Sequence, residues 1–322
     1  MGPRILPPLD ASAFAFVMAT GIVSVAARLQ GLPTFSDVAL AVAVLGWCVL
    51  AAVLCVQTLR SEHRRPRFES FAFVAATAVL GARFSYAGRN FVALALWTLA
   101  IGAWLVLVVR RPELTRADGG WFLVVVGTEA LAVLASLIAP RLGAELLPAA
   151  LTWWALGLAL YPLVGGAIAM GLRSRPRFGP DLWIAMGALA IATLAGTELL
   201  DAARALHALG AFRLVLRDVD IATWALASTW ILPLVVAEAR NTAGWRYCSS
   251  RWSFVFPLGM YAVATQTLGR AAHLGPLSDL ARVFFAIAVL AWALALGGLG
   301  RRAIAEARLS RTRPGENYRT TI

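Results

Sequence analysis

The chain has 322 residues, of which 60% are hydrophobic and 14% are charged. Its formal net charge of +12 comes from arginine alone, because the sequence contains no lysine. Such a basic chain would suggest nucleic-acid binding in a soluble protein. Here, however, apolar runs of about 20 residues recur along the whole length, enough for a helix to cross a hydrocarbon core of about 30 Å. The composition therefore predicts an integral membrane protein without a separate soluble domain.

Ten apolar segments follow one another along the chain. They cover about residues 9–28, 38–59, 68–86, 91–109, 121–139, 145–172, 182–200, 219–239, 252–267 and 280–299. A polar, partly amphipathic stretch at 201–218 separates the seventh segment from the eighth. We therefore expect an all-α integral membrane protein with ten transmembrane helices in residues 1–303 and a polar tail at 304–322.

Arginine is concentrated in the loops that follow the even-numbered segments, at 60–67, 110–116, 173–177 and 240–251, and in the tail. Short loops rich in arginine stay on the cytoplasmic side of a membrane. This bias predicts a multi-pass protein of the cell membrane with both termini in the cytoplasm. The three cysteines, Cys48, Cys55 and Cys248, are scattered and predict neither a disulfide framework nor a metal site.

The segments alternate in character. The odd-numbered segments are rich in small and hydroxyl residues, as in VMATGIVSVAA and IAMGALAIATLAG, whereas the even-numbered ones are bulkier and more aliphatic. Small residues let helices approach closely or leave space for a passage. This alternation predicts five helical hairpins around a central pore, with ordinary small-residue packing without a pore as the alternative. The candidate pore-lining or hinge residues on the odd segments are Thr20, Gly21, Ser24, Gly81, Gly127, Thr128, Glu129, Thr193, Gly196, Gly259, Val263 and Thr267.

The ninth segment, WSFVFPLGMYAVATQT, is unlike a helix that only faces lipid. Pro257 removes a backbone hydrogen bond, so a bend is expected there beside the ring of Phe256. On a helix, Phe256, Val263 and Thr267 share one face, whereas Phe254 lies on another. Either ring could block a narrow passage after a small rotation of the helix, and in the alternative both rings pack against outer helices.

Three motifs in this ten-segment frame resemble one known family. They are FAFVMATGIVS at 14–24, DLWIAMGALAIATLAG at 181–196 and RWSFVFPLG at 251–259. These are similar to the first, seventh and ninth helices of the tellurite-resistance/C4-dicarboxylate transporter family, which includes the plant slow-type guard-cell anion channels. The resemblance implies a pore lined by the odd-numbered helices, a homotrimer, and a plug at Phe256 beside Pro257. It also implies that anions or small organic acids, such as C4-dicarboxylates, are the transported species.

Charged residues inside the segments need a reason, since a charge in hydrocarbon costs at least about 2.5–3.5 kcal/mol. Arg83 is expected near the outer mouth, where it either attracts anions or pairs with Glu198 or another carboxylate. Glu238 is expected at the inner end of its segment, solvated or paired with a loop. Glu129 departs from the neutral residue that the resemblance leads us to expect. It is either protonated, paired with an arginine, or the proton carrier of a coupled transporter.

No pattern in the sequence predicts an enzyme. His63, His207 and His273 fall in or near loops, without the spacing that would place metal ligands on one helix face. No cofactor and no nucleic-acid partner are expected, and no nucleotide-binding motif suggests energy from ATP. We therefore expect anion transport through a central pore gated by a phenylalanine; a proton-coupled organic-acid carrier that uses Glu129 is the alternative.

Overall fold

A computed structural model describes residues 13–60, 66–113, 118–174, 180–240 and 251–312. These residues form ten α-helices and three short 3₁₀ turns, without any strand. The helices are α1 (Phe14–Leu29), α2 (Pro33–Arg60), α3 (Phe71–Tyr86), α4 (Asn90–Val109), α5 (Leu123–Leu142), α6 (Leu146–Ser174), α7 (Trp183–Ala205), α8 (Phe212–Ala239), α9 (Trp252–Ala271) and α10 (Gly275–Thr312). The predicted all-α class is confirmed.

Several helices are longer than the apolar segments that mark them. Residues 201–218 were predicted to connect the seventh and eighth helices, and this prediction is wrong. Helix α7 continues to Ala205 and α8 begins at Phe212, which leaves only a short turn between them. Helix α10 likewise continues to Thr312, into the stretch expected as a polar tail. The reason is that hydropathy reports burial in lipid, whereas a helix continues into polar sequence until its backbone is capped.

Eight of the helices in the described ranges are long and apolar enough to cross a membrane. Helix α1 is apolar but has only 16 residues in the described part of the chain. Helix α9 is less apolar because it carries polar residues near its end, including Gln266. Both belong to the inner set of helices, whose sides contact protein rather than lipid.

The helices form two concentric layers. Each odd-numbered helix packs along the even-numbered helix that follows it, which gives five hairpins. The odd-numbered helices also contact one another in the order α1, α3, α5, α7, α9, and α9 returns to α1. They therefore form a closed ring of five inner helices. The even-numbered helices surround this ring and expose large apolar side chains, including Leu45, Leu163, Leu232 and Leu290.

A repeated hydrogen bond ties the two layers together. A tryptophan indole on an outer helix donates to the inner helix that follows it in the ring. The five bonds are Trp47 to Thr77 (2.9 Å), Trp104 to Thr128 (2.9 Å), Trp154 to the Ala192 carbonyl (3.2 Å), Trp224 to Thr265 (2.9 Å) and Trp292 to Thr20 (3.1 Å). A buried indole N–H needs an acceptor. Its recurrence in all five hairpins marks them as diverged copies of one unit.

Candidate functional site

A small cavity lies on the axis of the five-helix ring. It is lined by Ile22, Val25, Ala78, Val79, Ala82, Tyr86, Ala130, Val133, Ile191, Leu194 and Met260, so every inner helix contributes. Its volume is about 10 Å³, at the lower limit of what one water molecule needs. Apart from the tyrosine, the lining is apolar. The ring therefore encloses an axial path that is narrow and nearly dry at this level.

The contacts of α9 fix which of its faces points to the axis. Pro257 faces α7, since a Cβ added at Gly187 would lie 3.0 Å from the proline ring. Gly259 faces α1, since a Cβ added there would lie 2.9 Å from Ile22. Between these two directions lies the face that carries Met260, which lines the axial cavity.

Phe256 lies on this axial face, one helical turn before Met260. Its side chain is fully buried. Val263 and Thr267 lie on the same face towards the other end of the helix, and both are buried. The residues grouped on one face from the sequence thus share the face that α9 presents to the ring axis.

The opposite side of α9 contacts the outer layer. The Tyr261 hydroxyl lies 2.7 Å from that of Ser228, and Thr265 accepts the Trp224 indole of α8. Phe254, about two turns before Tyr261, packs edge-on against Trp183 of α7 with 4.5 Å between ring centroids. Phe254 and Phe256 therefore occupy different surroundings, and Phe254 lies away from the axial face.

Three of the hydroxyl residues proposed as pore lining lie on the outward faces of the inner helices. Thr20 and Thr128 accept the tryptophan bonds described above, and the Thr193 hydroxyl lies 2.9 Å from that of Thr223 on α8. The glycines Gly21, Gly81 and Gly127 lie instead at contacts between neighbouring inner helices, against Val79, Leu134 and Val74 respectively. The threonines thus join the inner layer to the outer one, the glycines let neighbouring inner helices approach, and none of the six lines the axial cavity.

Arg83 is held between α1, α2 and α3. Its guanidinium group, 1% exposed, lies 2.5 Å from the carboxylate of Asp37 and donates to the hydroxyls of Ser24 and Ser36. Of the partners weighed from the sequence, the structure thus selects a carboxylate at the start of α2 rather than Glu198. Ser24 belongs to this polar cluster and not to the axial cavity.

Glu129 is fully buried, and neither carboxyl oxygen has a hydrogen-bond partner within the described ranges. The carboxyl group lies over Gly157 of α6, where an added Cβ would be 2.3 Å from Oε1. Asp220 of α8 is also fully buried and lies over Gly196 of α7. The two carboxyl groups thus lie between the inner and outer layers and not at the axis, and the indole of Trp154 lies at the Asp220 site. Sequence reasoning missed Asp220, although its position in an apolar span was the available signal.

Another carboxylate, that of Glu198, lies near the C-terminal end of the ring. The hydroxyl of Tyr86 donates to Oε1 of Glu198 over 2.6 Å. Tyr86 also lines the axial cavity. Sequence reasoning did not single out Tyr86, because a tyrosine at the end of an apolar segment is common at membrane interfaces.

Acidic residues precede three inner helices at the opposite end of the ring. Asp118 accepts a hydrogen bond from the backbone of Gly120, and Asp181 accepts one from that of Gly119. Partial burial, followed by the negative charges of Asp181 and Glu69, raises the pKa of the Asp118 carboxyl. Nearby, Glu238 forms an ion pair with Arg251, as the loop-paired interpretation of Glu238 predicted.

Residues 9–299 match the family described as SLAC1, voltage-dependent anion channel. The chain belongs to this family. The resemblance carried by its first, seventh and ninth segments is thereby confirmed, and anion transport across membranes is the activity of the SLAC1 family.

Two relatives agree with a multi-pass membrane protein. An uncharacterized membrane protein of Mycobacterium tuberculosis is 35% identical over 143 residues, which cover 42% of this chain and 72% of that protein. An uncharacterized transporter of Methanocaldococcus jannaschii is 24% identical over 286 residues, which cover 78% of this chain and 81% of that protein.

Proposed function

We propose that this SLAC1-family protein conducts small anions along the axis of its inner helix ring, and that Phe256 is the gate. The observation that carries the proposal is the closed ring of five inner helices around a nearly dry axial cavity. Phe256 lies one turn from that cavity, on the face of α9 that points to the axis. Pro257 supports a gating role, because its missing hydrogen bond makes α9 easier to bend there.

An apolar constriction blocks ions without any charged barrier. A hydrated anion cannot enter a space of about 10 Å³ without losing its water, and apolar walls offer nothing in exchange. Movement of one large ring away from the axis would widen and hydrate the path at once. Such a gate suits a passive pore, in which the electrochemical gradient supplies the energy.

Currents across a planar lipid bilayer, recorded with purified protein in chloride or nitrate, test this function. Phe256→Ala should raise the anion conductance strongly over wild type, because it removes the ring from the axial face. Phe254→Ala is the matched control: it deletes the same ring from the same helix, but at the contact with Trp183. It should lower stability and leave basal conductance near wild type. Equal basal conductance in wild type and folded, inserted Phe256→Ala protein would remove Phe256 from the mechanism.

A proton-coupled organic-acid carrier is the second candidate. Its support is the pair Glu129 and Asp220, two fully buried carboxyl groups, of which Glu129 has no hydrogen-bond partner in the described ranges. Uptake of a C4-dicarboxylate into vesicles, with and without a pH gradient, distinguishes the two functions. Glu129→Gln should abolish the pH dependence of uptake by a carrier, whereas Glu145→Gln, at an exposed position, should not. Unitary currents at fixed pH, together with an unchanged pH profile in well-folded Glu129→Gln protein, would reject the carrier.

The setting of this function is also a proposal. We place the protein in the cell membrane with both termini in the cytoplasm, on the basis of the arginine distribution in the sequence. Residues 304–322 would then form a cytoplasmic extension. A homotrimer is proposed from the family resemblance alone.

A further inference from the structure

The hydrogen bond between Tyr86 and Glu198 joins two inner helices that are not neighbours in the ring. Helix α3 packs between α1 and α5, and α7 packs between α5 and α9. One helix therefore separates α3 from α7 on one side of the ring, and two helices separate them on the other. A direct side-chain contact of 2.6 Å between α3 and α7 has to cross the interior of the ring.

The positions of both residues along their helices agree with a bond across the axis. Tyr86 is itself part of the axial cavity wall. Glu198 follows Leu194 by one turn and Ile191 by two, and both of these residues line the cavity. The three residues share one face of α7. Both Tyr86 and Glu198 are partly exposed, whereas the residues of the inner helices below them are buried, so the bond lies at the mouth of the axial path.

We propose that Tyr86 and Glu198 form a second, polar gate at the C-terminal end of the ring, and that Glu198 selects among the ions that reach it. This inference rests on the proposed function, since it concerns the same axial path. The bond closes the path mechanically, because an ion cannot pass while the two side chains meet across the axis. The carboxylate adds an electrostatic barrier against anions at this mouth.

Opening this gate would also create an anion site. Once it leaves Glu198, the Tyr86 hydroxyl is a donor that faces the path and can donate to a small inorganic anion such as chloride or nitrate. Arg270 on α9 and Asp201 on α7 are charged groups near Glu198. Arg270 offers the carboxylate an alternative partner and the anion a favourable charge. The path would therefore have two constrictions in series, one closed by an apolar ring and one by a hydrogen bond.

Two substitutions separate the bond from the charge. Tyr86→Phe removes the hydrogen bond and keeps the carboxylate, whereas Glu198→Gln keeps an acceptor oxygen and removes the charge. Both are made in the Phe256→Ala background, where the other gate is open, and also in wild type. The matched controls are Tyr161→Phe, which removes a partly buried tyrosine hydroxyl between α6 and α8, and Glu145→Gln, which removes an exposed carboxylate just before α6.

In Phe256→Ala protein, Tyr86→Phe should raise chloride flux by about tenfold, as expected for loss of one charge-assisted hydrogen bond. It should leave the chloride-to-potassium selectivity unchanged. Glu198→Gln should instead shift the reversal potential in a salt gradient towards higher chloride selectivity. If either residue had only a structural role, its substitution would lower the amount of folded protein. Tyr86→Phe would then not change flux alone, and Glu198→Gln would not change the reversal potential. Neither control should change flux or reversal potential.

Unchanged flux with Tyr86→Phe and an unchanged reversal potential with Glu198→Gln, in folded Phe256→Ala protein that conducts, would overturn the second gate and leave the proposed function standing. If Tyr86→Phe raises flux while Phe256→Ala does not, the second gate is supported and the Phe256 gate falls. Absence of anion flux in every variant would overturn both.

Discussion

At the scale of single residues, buried charge decides most of what is particular to this protein. Arg83, Glu129 and Asp220 are buried inside the bundle. Glu198 is partly exposed near the end of the ring, and each of the four has different surroundings. Arg83 has a carboxylate and two hydroxyls around it, and Glu198 has a tyrosine hydroxyl. Glu129 and Asp220 lie over glycines between the two layers of helices. A charge in the hydrocarbon region is costly, so each of these residues needs a structural or a functional reason.

The ion pair between Arg83 and Asp37 should respond unequally to loss of its two members. Asp37→Asn leaves a guanidinium group, 1% exposed, without its carboxylate, and should cost about 1–3 kcal/mol of folding free energy. Arg83→Met removes the buried charge and leaves Asp37, 68% exposed, to water, so it should cost less. Thermal unfolding of the two variants in the same detergent checks the order. A lower midpoint for Arg83→Met than for Asp37→Asn would contradict this account.

Asp118 should make stability depend on pH. Its folded-state pKa is raised, so the folded protein binds more protons than the unfolded chain above the ordinary pKa of about 3.9. Its contribution to stability is therefore fully present below that value and is lost as the pH rises through the raised pKa. Asp118→Asn cannot lose this contribution, so its unfolding midpoint should rise relative to wild type as the pH is raised from 4 to 7. Glu145→Gln is the control, and a difference between Asp118→Asn and wild type that stays constant with pH would reject the assignment.

At the scale of elements, a close contact between two backbone turns fixes how the inner helices α5 and α7 begin beside each other. Gly119 opens the 3₁₀ turn Gly119–Phe122 before α5, and it lies against the backbone of Asp181 before α7. A Cβ added at Gly119 would lie 2.3 Å from the carbonyl carbon of Asp181, which is closer than real Cβ contacts. The two turns can dock only because this residue has no side chain.

Gly119→Ala should therefore destabilise the protein by about 1–3 kcal/mol, since neither backbone can move independently of its helix. Gly102→Ala on α4 is the control, because an added Cβ there meets no atom within 4 Å. Alanine in a helix is also more stable than glycine by about 1 kcal/mol, so Gly102→Ala should be neutral or stabilising. Thermal unfolding in detergent measures both. A Gly119→Ala variant as stable as wild type would show that the turns dock less tightly than described.

At the scale of the whole molecule, the alternation of helices places the ends of α4 and α5 on opposite sides of the membrane. Arg111 follows α4 and Arg141 lies near the end of α5, and both are exposed. In a background without the three native cysteines, Arg141→Cys should react with an impermeant maleimide added to intact cells. Arg111→Cys should react only after the membrane is opened, since the arginine-rich loops are proposed to be cytoplasmic. Labelling of Arg111→Cys in intact cells would reverse the orientation. The loop centred on Arg64 is expected on the same side as Arg111, although residues 61–65 lie outside the described residues.

Much of the fold could be predicted from the sequence, because its signals are local. Apolar length marks each membrane helix, and the contrast between small and bulky segments marks the inner and the outer layer. The first, seventh and ninth motifs point to the family, and the positions of Phe256 and Pro257 single out one turn of α9. None of these inferences requires knowledge of which helices touch, so they could be made before any tertiary contact was known.

The tertiary structure decided the partner and direction of every polar side chain within the bundle. Thr20, Thr128 and Thr193 were expected near a passage, but their helices are rotated so that the hydroxyls meet the outer layer. Tyr86 and Glu198 lie far apart in the chain, yet the order of helices in the ring brings them together across the axis. The physical reason is that hydropathy depends on composition along one helix, whereas a buried hydrogen bond depends on the rotation and order of several helices.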